Sequence, residues 1–280
     1  MSIKDILVHL DQSERSSVRL DVAFQLAKQH EAMLIGLFVE TNYNVTAYTP
    51  GEFKGGFDKK TREAGDLVKQ QFEERAKRDG VSIEWRQIDR QGVRDVDVIE
   101  QVITHGRYVD LLVIGQSDPE DNGNIPVALP DEVVLRAGRP VLLIPYSGQY
   151  DFNAVHAMVA WNGGREAARA VNDALPLLKR AKKALVLAVN PTEGNRSDLG
   201  DLPGADICLH LARHGINAEA QHVSAPDVKV GDILLSRAAD EGVNVRVSGA
   251  YRTSPLLERV LCGVTRHLLA QMTVPVLMSR

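Results

Sequence analysis

The sequence predicts an α/β protein of two doubly wound domains, each with a parallel sheet that has helices on both faces. Short, continuously apolar runs alternate with helix-like segments along the chain, which is typical of parallel strands buried on both faces. The order of strands, helices and turn residues in the first half also recurs in the second. We therefore predict domains at 1–147 and 154–280, since 280 residues suffice for two cores of domain size.

The repeat is clearest at the penultimate strand of each half. Residues 109–115 read V-D-L-L-V-I-G and are matched by V-N-V-R-V-S-G at 243–249. The apolar strand that follows Pro140 is matched by the one that follows Pro275. At the front of each half, Asp11 falls opposite Asn162, directly after a strand. These matches occur in the same order twice, so we infer a tandem duplication.

In the first half, each strand is predicted from an apolar or alternating run: 6–10, 33–39, 81–88, 111–114 and 141–144. The helices between them are predicted from apolar residues at helical spacing or from a closing glycine: one after Asp11 and Ser13, then 61–78, 95–105 and 130–137. The segment 40–60 lacks periodicity and is predicted to be a loop.

The second half repeats this plan. Its predicted strands are 157–161, 184–189, 218–223, 245–248 and 274–278. Its predicted helices are 165–179, 203–214, 230–241 and 255–271. Because strands and helices alternate with short connections, right-handed crossovers are expected, and a ligand is expected at the carboxyl ends of the strands.

Charge and segment composition exclude several classes of protein. A net charge of -4 disfavours nucleic acid and anionic membrane surfaces as partners. No apolar run is long enough to cross a bilayer and no signal-peptide pattern follows Met1, so a cytoplasmic protein is expected. The two cysteines, Cys208 and Cys262, lie in the same half, so they provide no disulfide framework.

With these motifs in place, the chain resembles the universal stress protein family in its tandem form. The family pattern has a strand ending V-D-G-S, a strand V-D-L-I-V-M-G, the loop G-x2-G-x9-G-[ST] and a closing strand V-P-V-L-L-V. The resemblance implies Rossmann-like domains, similar to the adenine nucleotide alpha hydrolases. It also implies a non-enzymatic regulatory or ligand-binding stress protein whose small-molecule ligand is ATP or a related adenine nucleotide.

In the first half, the resemblance to the nucleotide site is partial. The family's first-strand aspartate, which contacts the adenosine, is present as Asp11, and the first motif glycine is Gly115. The other motif glycines are missing, and the loop carries Asp118, Glu120 and Asp121, whose charges oppose phosphates. We therefore interpret Asp11 as a cap of the following helix, and Gly115 as a weak candidate.

In the second half, Gly249 is kept, but Arg252 stands at the second glycine position and Cys262 at the third. A glycine after a strand lets the backbone approach a ligand closely. Arg252 removes one such glycine but adds donors and positive charge for a phosphate. This half is the better candidate for a degenerate nucleotide site.

The remaining candidate positions of the second half follow from the same alignment. Gly263 occupies the Ser/Thr position, while Val264 offers its backbone and Thr265 a hydroxyl. Asn162 stands in place of the aspartate and still has an acceptor for a ribose hydroxyl.

Two alternatives concern metals and catalysis. His210 and His214 are one helical turn apart, a spacing that can chelate zinc, but no H-E-x-x-H arrangement accompanies them and no metal is expected. The competing class is an enzyme that hydrolyses or transfers nucleotides, as related folds do, but no paired acid and base supports it.

The resemblance also implies an assembly. The last strands of the two halves, 141–144 and 274–278, would each be an open sheet edge if exposed. We expect them to pair, so that one chain forms an intramolecular pseudo-dimer. Whether the chain also forms a homodimer stays open.

Overall fold

The computed structural model describes residues 2–40, 54–88, 97–118, 125–191, 202–250 and 264–280. Within these ranges the strands are β1 (Asp5–Leu10), β2 (Met33–Val39), β3 (Ile83–Ile88), β4 (Leu111–Gly115), β5 (Val141–Ile144), β6 (His156–Ala160), β7 (Lys183–Val189), β8 (Ala218–Val223), β9 (Val245–Gly249) and β10 (Val276–Ser279). The helices are α1 (Arg15–His30), α2 (Lys54–Asp79), α3 (Val98–Gly106), α4 (Leu129–Arg136), α5 (Arg165–Leu178), α6 (Ala205–Arg213), α7 (Val230–Asp240) and α8 (Val264–Gln271).

The chain divides into two compact units. The first unit is Ile3–Arg139, and Pro140–Arg280 forms the greater part of the second. In the first unit the strand order is β3-β2-β1-β4, and the three pairs are parallel. This is the doubly wound α/β arrangement that the apolar runs predicted.

In the second unit the order is β8-β7-β6-β9-β10-β5. The pairs from β8 to β10 are parallel, and β5 joins β10 in antiparallel register with Leu143 opposite Val276. The pairing predicted for the last strands of the two repeats is thus observed. Because of it, β5 packs with the second unit although it completes the first repeat in the sequence.

Each unit has a topological switch point, beside β1 in the first unit and beside β6 in the second, where the order of the strands in the sheet reverses. The first switch point lies at the carboxyl ends of β1 and β4, and Val8 is in register with Val113 there. The second switch point lies at the carboxyl ends of β6 and β9, and Val159 is in register with Val247. The strand registers make Asp11 and Asn162 equivalent positions.

The core of the first unit includes an aromatic cluster beside β3. The ring of Phe72 lies with its centroid 5.6 Å from that of Phe24 and 5.6 Å from that of Trp85. A Cβ on Gly36 would lie 2.9 Å from the Trp85 ring, so a larger residue there would displace the indole. This cluster lies on β2, β3 and the helices that pack against them.

Most predicted boundaries differ from the structure by one to three residues, and the boundary at α2 differs by more. α2 is described from Lys54 onwards, inside the predicted loop 40–60, since helix propensity is a weak signal and the two glycines at 55 and 56 do not prevent a helix here. Residues 41–53 of that loop lie outside the described residues. The predicted helix 255–271 is described only from Val264 onwards.

None of the described helices combines the length and the apolar composition that a membrane span needs.

Candidate functional site

At the first switch point, the carboxylate of Asp11 is bonded to residues of its own unit. It is 8% exposed, and its Oδ2 forms an ion pair with Nη2 of Arg19. Its Oδ1 accepts a hydrogen bond of 2.7 Å from the N–H of Ser13. The prediction that Asp11 caps the following helix is therefore wrong: α1 begins at Arg15, and the Asp11 carboxylate closes a turn before the helix.

Arg19 fills the space between the ends of β1 and β4. The residue is 1% exposed, and its Nε donates a hydrogen bond of 3.1 Å to the carbonyl oxygen of His9. A Cβ on Gly115 would lie 2.6 Å from Nη1 of Arg19 and 2.5 Å from Cδ1 of Ile125. The guanidinium thus lies against Gly115, one of the sequence-predicted site residues.

Burial and charge fix the protonation states at this switch point. Burial lowers the pKa of His9 to about 4, although Asp11 opposes that shift, so the imidazole is neutral at neutral pH. Burial raises the pKa of Asp11, but Arg19, His9 and Ser13 outweigh burial and hold the pKa below its ordinary value. Asp11 and Arg19 therefore form a buried, oppositely charged pair.

At the second switch point, Asn162 occupies the position of Asp11 but is exposed. Its Oδ1 accepts a hydrogen bond of 2.9 Å from the N–H of Gly164, which precedes α5 as its N-cap. Gly163 between them has a φ of 69°, a left-handed conformation that glycine adopts without strain. The amide side chain is therefore held beside the strand end in a short glycine turn.

Gly249, at the end of β9, is in contact with the first turn of α5. A Cβ at this position would lie 2.5 Å from the backbone nitrogen of Ala167, 2.5 Å from the carbonyl carbon of Glu166 and 2.8 Å from its oxygen. The close neighbour of this glycine is therefore helix backbone, and packing alone requires a glycine here. Its role in binding a ligand stays a prediction.

The other predicted site residues of the second half lie at or before the start of α8. Val264, the first described residue of α8, is 42% exposed, and Thr265 is buried. Arg252 and Gly263 lie outside the described residues. The structure thus brings Asn162 near the end of β9, where Ala160 and Ser248 are in register one residue before Gly249.

Sequence reasoning missed two buried arginines. Arg19 lies in the buried stripe of α1, between Val18 and Val22, and an arginine in such a stripe is the signal that could have found it. Arg246 is the second residue of β9 and is fully buried, and none of its three guanidinium nitrogens has a hydrogen-bond partner among the described residues. Burial lowers the pKa of Arg246 to about 10.

Both histidines of the candidate zinc pair are described: His210 lies in α6, and His214 directly follows the helix as its C-cap. The rings of His210 and His214 have their centroids 4.8 Å apart, in an edge-on arrangement. Among the described residues, no group of three or more histidine, cysteine, aspartate or glutamate side chains is arranged to hold a metal ion.

Comparison with known proteins gives matches in structure and none in sequence. No protein-family model matches the chain, and no curated protein does. A universal stress protein from Archaeoglobus fulgidus matches with a TM-score of 0.74 at 14% identity, over 100% of this chain and 97% of that chain. A functionally unknown protein from Pseudomonas aeruginosa PAO1 matches with a TM-score of 0.61 at 14% identity, over 99% and 92% of the two chains.

At this level of identity, the likeness concerns the fold. It extends over the whole chain and includes both units, in agreement with the repeated strand order. The fold predicted from the sequence is thereby confirmed: the chain has the tandem, Rossmann-like α/β fold of a universal stress protein.

Proposed function

We propose that this chain is a non-enzymatic regulatory member of the universal stress protein family that binds an adenine nucleotide, such as ATP, at its second switch point. The observation that carries the proposal is the contrast between Asn162 and Asp11. Asn162 is exposed at the strand end, whereas Asp11 is buried and paired with Arg19. A ligand arriving from solvent meets a side-chain acceptor only at the second of these two positions.

The nucleotide would lie with its sugar near Asn162. An amide oxygen accepts a hydrogen bond from a ribose hydroxyl, and the amide nitrogen donates one. The phosphates would lie toward the start of α8, since the first turn of a helix presents unpaired N–H groups and a partial positive charge. Val264 and Thr265 are the described residues there, and the sequence adds Arg252 and Gly263 as further phosphate contacts.

The regulatory role rests on the fold and on the resemblance in sequence. A ligand that binds the folded protein and not the unfolded chain raises the free energy of unfolding with the logarithm of the ligand concentration. The concentration of the nucleotide would in this way determine how stable the folded protein is. We therefore expect ATP to be bound and recovered intact. Chromatography of ATP after incubation with the protein, compared with ATP alone, measures any turnover.

The binding proposal is tested by calorimetric titration of ATP into the full chain and into two matched variants. Asn162→Ala removes the proposed acceptor, whereas Asn172→Ala makes the same change at an exposed position of α5. One hydrogen bond contributes about 0.5–1.5 kcal/mol, so we expect Asn162→Ala to weaken ATP binding roughly two- to tenfold and Asn172→Ala to leave it unchanged. Equal affinities of all three proteins would place the site elsewhere.

A further inference from the structure

The two switch points differ at a set of equivalent positions. Counterparts in the two units follow from the strand registers, since Val8 pairs with Val113 and Val159 pairs with Val247. Ala170 of α5 follows Asn162 in the chain by as many residues as Arg19 of α1 follows Asp11, so Ala170 and Arg19 are counterparts. Ala170 and Arg19 are both buried. The first switch point has buried polar residues where the second has alanine: His9, Ser16, Arg19 and Gln116 against Ala160, Ala167, Ala170 and Ala250.

The largest of these differences in side-chain size is that between Arg19 and Ala170. The Arg19 guanidinium binds the Asp11 carboxylate on one side and the carbonyl oxygen of His9 on another, and it lies against Gly115. The three atoms nearest to a Cβ on Gly115 are side-chain atoms of Ile125 and Arg19, whereas Gly249 meets the backbone of α5. The space beside the first strand end is therefore occupied by a side chain that could be removed without moving a helix.

We infer that Arg19 is an internal ligand of the first switch point, and that it determines which of the two repeats accepts a nucleotide. It occupies the volume beside Gly115 and uses the acceptor of Asp11 that would otherwise face the sugar of a ligand. This inference rests on the proposed function for the class of ligand, an adenine nucleotide. It goes beyond that proposal because it concerns the half that does not bind one.

The chemistry of the pair explains why the occupation is stable. A carboxylate and a guanidinium at hydrogen-bond distance in a buried site each satisfy the charge of the other, and removing one partner leaves an uncompensated buried charge. A nucleotide could enter only by displacing Arg19 from Asp11, and its own phosphates would not replace a cation beside a carboxylate. The first switch point is thus closed by charge as well as by volume.

The central experiment gives the first switch point the asparagine and alanine pair of the second. The double variant Asp11→Asn/Arg19→Ala has the residue pair that the second half carries as Asn162 and Ala170, and it leaves no unpaired carboxylate. The probe is AMP, which has the sugar but only one phosphate, so the acidic residues after β4, such as Asp118, oppose it less than they oppose ATP. Calorimetric titration should give one more AMP site per chain in the double variant than in the wild type.

A matched control separates volume from charge. Arg19→Met keeps most of the side-chain volume and removes the charge, so it should retain the AMP stoichiometry of the wild type. An additional site in this variant would contradict the inference that the side chain excludes the ligand by occupying the space. Thermal unfolding of each variant shows that it is folded at the temperature of the titration.

The outcomes for the two proposals are distinguishable. If the wild type binds one AMP and the double variant also binds one, the inference about Arg19 is overturned and the proposed function stands. If the wild type binds none and the double variant binds one, the inference holds and the proposed function fails. Equal stoichiometry of the two proteins, at any value, overturns the inference.

A second measurement needs no nucleotide and uses the single variant Arg19→Ala. Removal of the guanidinium should leave a site that ethylguanidinium, the chemical end of the arginine side chain, can refill. Millimolar ethylguanidinium should therefore raise the melting temperature of Arg19→Ala, or restore its folding, while leaving the wild type and Arg19→Met unchanged. No effect on Arg19→Ala would show that Arg19 does not occupy a ligand-sized site.

Discussion

Asn162 accepts a hydrogen bond from the N–H of Gly164 through its Oδ1, at 2.9 Å. The first unit has the equivalent hydrogen bond, in which Oδ1 of Asp11 accepts from the N–H of Ser13 at 2.7 Å. The residue between donor and acceptor differs, because Gly163 has a φ of 69° and Gln12 has no positive φ. A carboxylate oxygen at 162 can accept the hydrogen bond from Gly164 as the amide oxygen does. The two positions differ in what lies beyond the turn, because Asp11 is buried against Arg19 and Asn162 faces solvent.

This equivalence predicts the effect of Asn162→Asp. The variant keeps the turn and introduces a charged acceptor, and hydrogen bonds to charged groups are roughly twice as strong as neutral ones. We expect ATP to bind about tenfold more tightly by calorimetry, with Asn172→Asp, at an exposed position of α5, as the control for added charge. Weaker binding in Asn162→Asp would indicate that phosphates, rather than the sugar, lie next to this side chain.

The fold was predictable from the sequence because its signals are repeated. Apolar runs such as 111–114 are buried on both faces in the sheet, and each such run occurs in both halves. The pairing of β5 with β10 was predictable because two apolar strands at the ends of the repeats need partners, and the resemblance to the universal stress protein family implies that they pair with each other. The start of α2 at Lys54 was not predictable, since two glycines and a nearby proline disfavour a helix there.

The site was predictable only in part. The registers that make Asp11 and Asn162 equivalent follow from the repeat, but the ion pair of Asp11 with Arg19 does not. One arginine in an amphipathic helix is ordinarily expected on the solvent face. Its burial depends on the approach of α1 to the ends of β1 and β4, which is a tertiary property.

A prediction on pH follows from His9. Its pKa in the folded protein is about 4, below the ordinary 6.5, so the unfolded chain binds the proton more readily. The stability that depends on neutral His9 is fully present above pH 6.5 and is lost as the pH falls from 6.5 toward 4. The loss amounts to about 3 kcal/mol in the free energy of unfolding.

The measurement is the free energy of unfolding by urea, at pH 7 and at pH 4.5, for the wild type and His9→Gln. The variant does not titrate at this position, so its stability should fall less between the two pH values. An equal fall in the two proteins would show that His9 is protonated in the folded state as readily as in the unfolded chain.

Arg246 gives a prediction on stability. Its guanidinium is buried in β9 and has no hydrogen-bond partner in the part of the chain that the structure describes, and the equivalent position in β4 is Leu112. Removing an unpaired buried charge eliminates a desolvation cost, so Arg246→Leu should stabilise the fold by about 1–4 kcal/mol. Urea unfolding checks this, with Arg213→Leu at an exposed position of α6 as the control. A loss of stability in Arg246→Leu would mean that the charge has a stabilising partner.

Arg252 gives a prediction that rests on the sequence. If it meets a phosphate, the charged hydrogen bond is worth about 1.5–3 kcal/mol, so Arg252→Ala should weaken ATP binding roughly ten- to a hundredfold. Calorimetry of this variant beside Arg213→Ala measures the effect. An affinity for ATP that is the same in both would remove Arg252 from the site.

The most direct test of the central claim, that the nucleotide binds at the second switch point, uses the two tryptophans of the chain. Trp161 directly precedes Asn162, whereas Trp85 lies in the aromatic cluster of the first unit. In the variant Trp85→Phe, fluorescence reports on Trp161 alone, and in Trp161→Phe it reports on Trp85 alone. We predict that ATP changes the fluorescence of Trp161 to saturation at one equivalent per chain and leaves Trp85 unchanged. A response of Trp85 alone, or none from either tryptophan at millimolar ATP, would contradict the account.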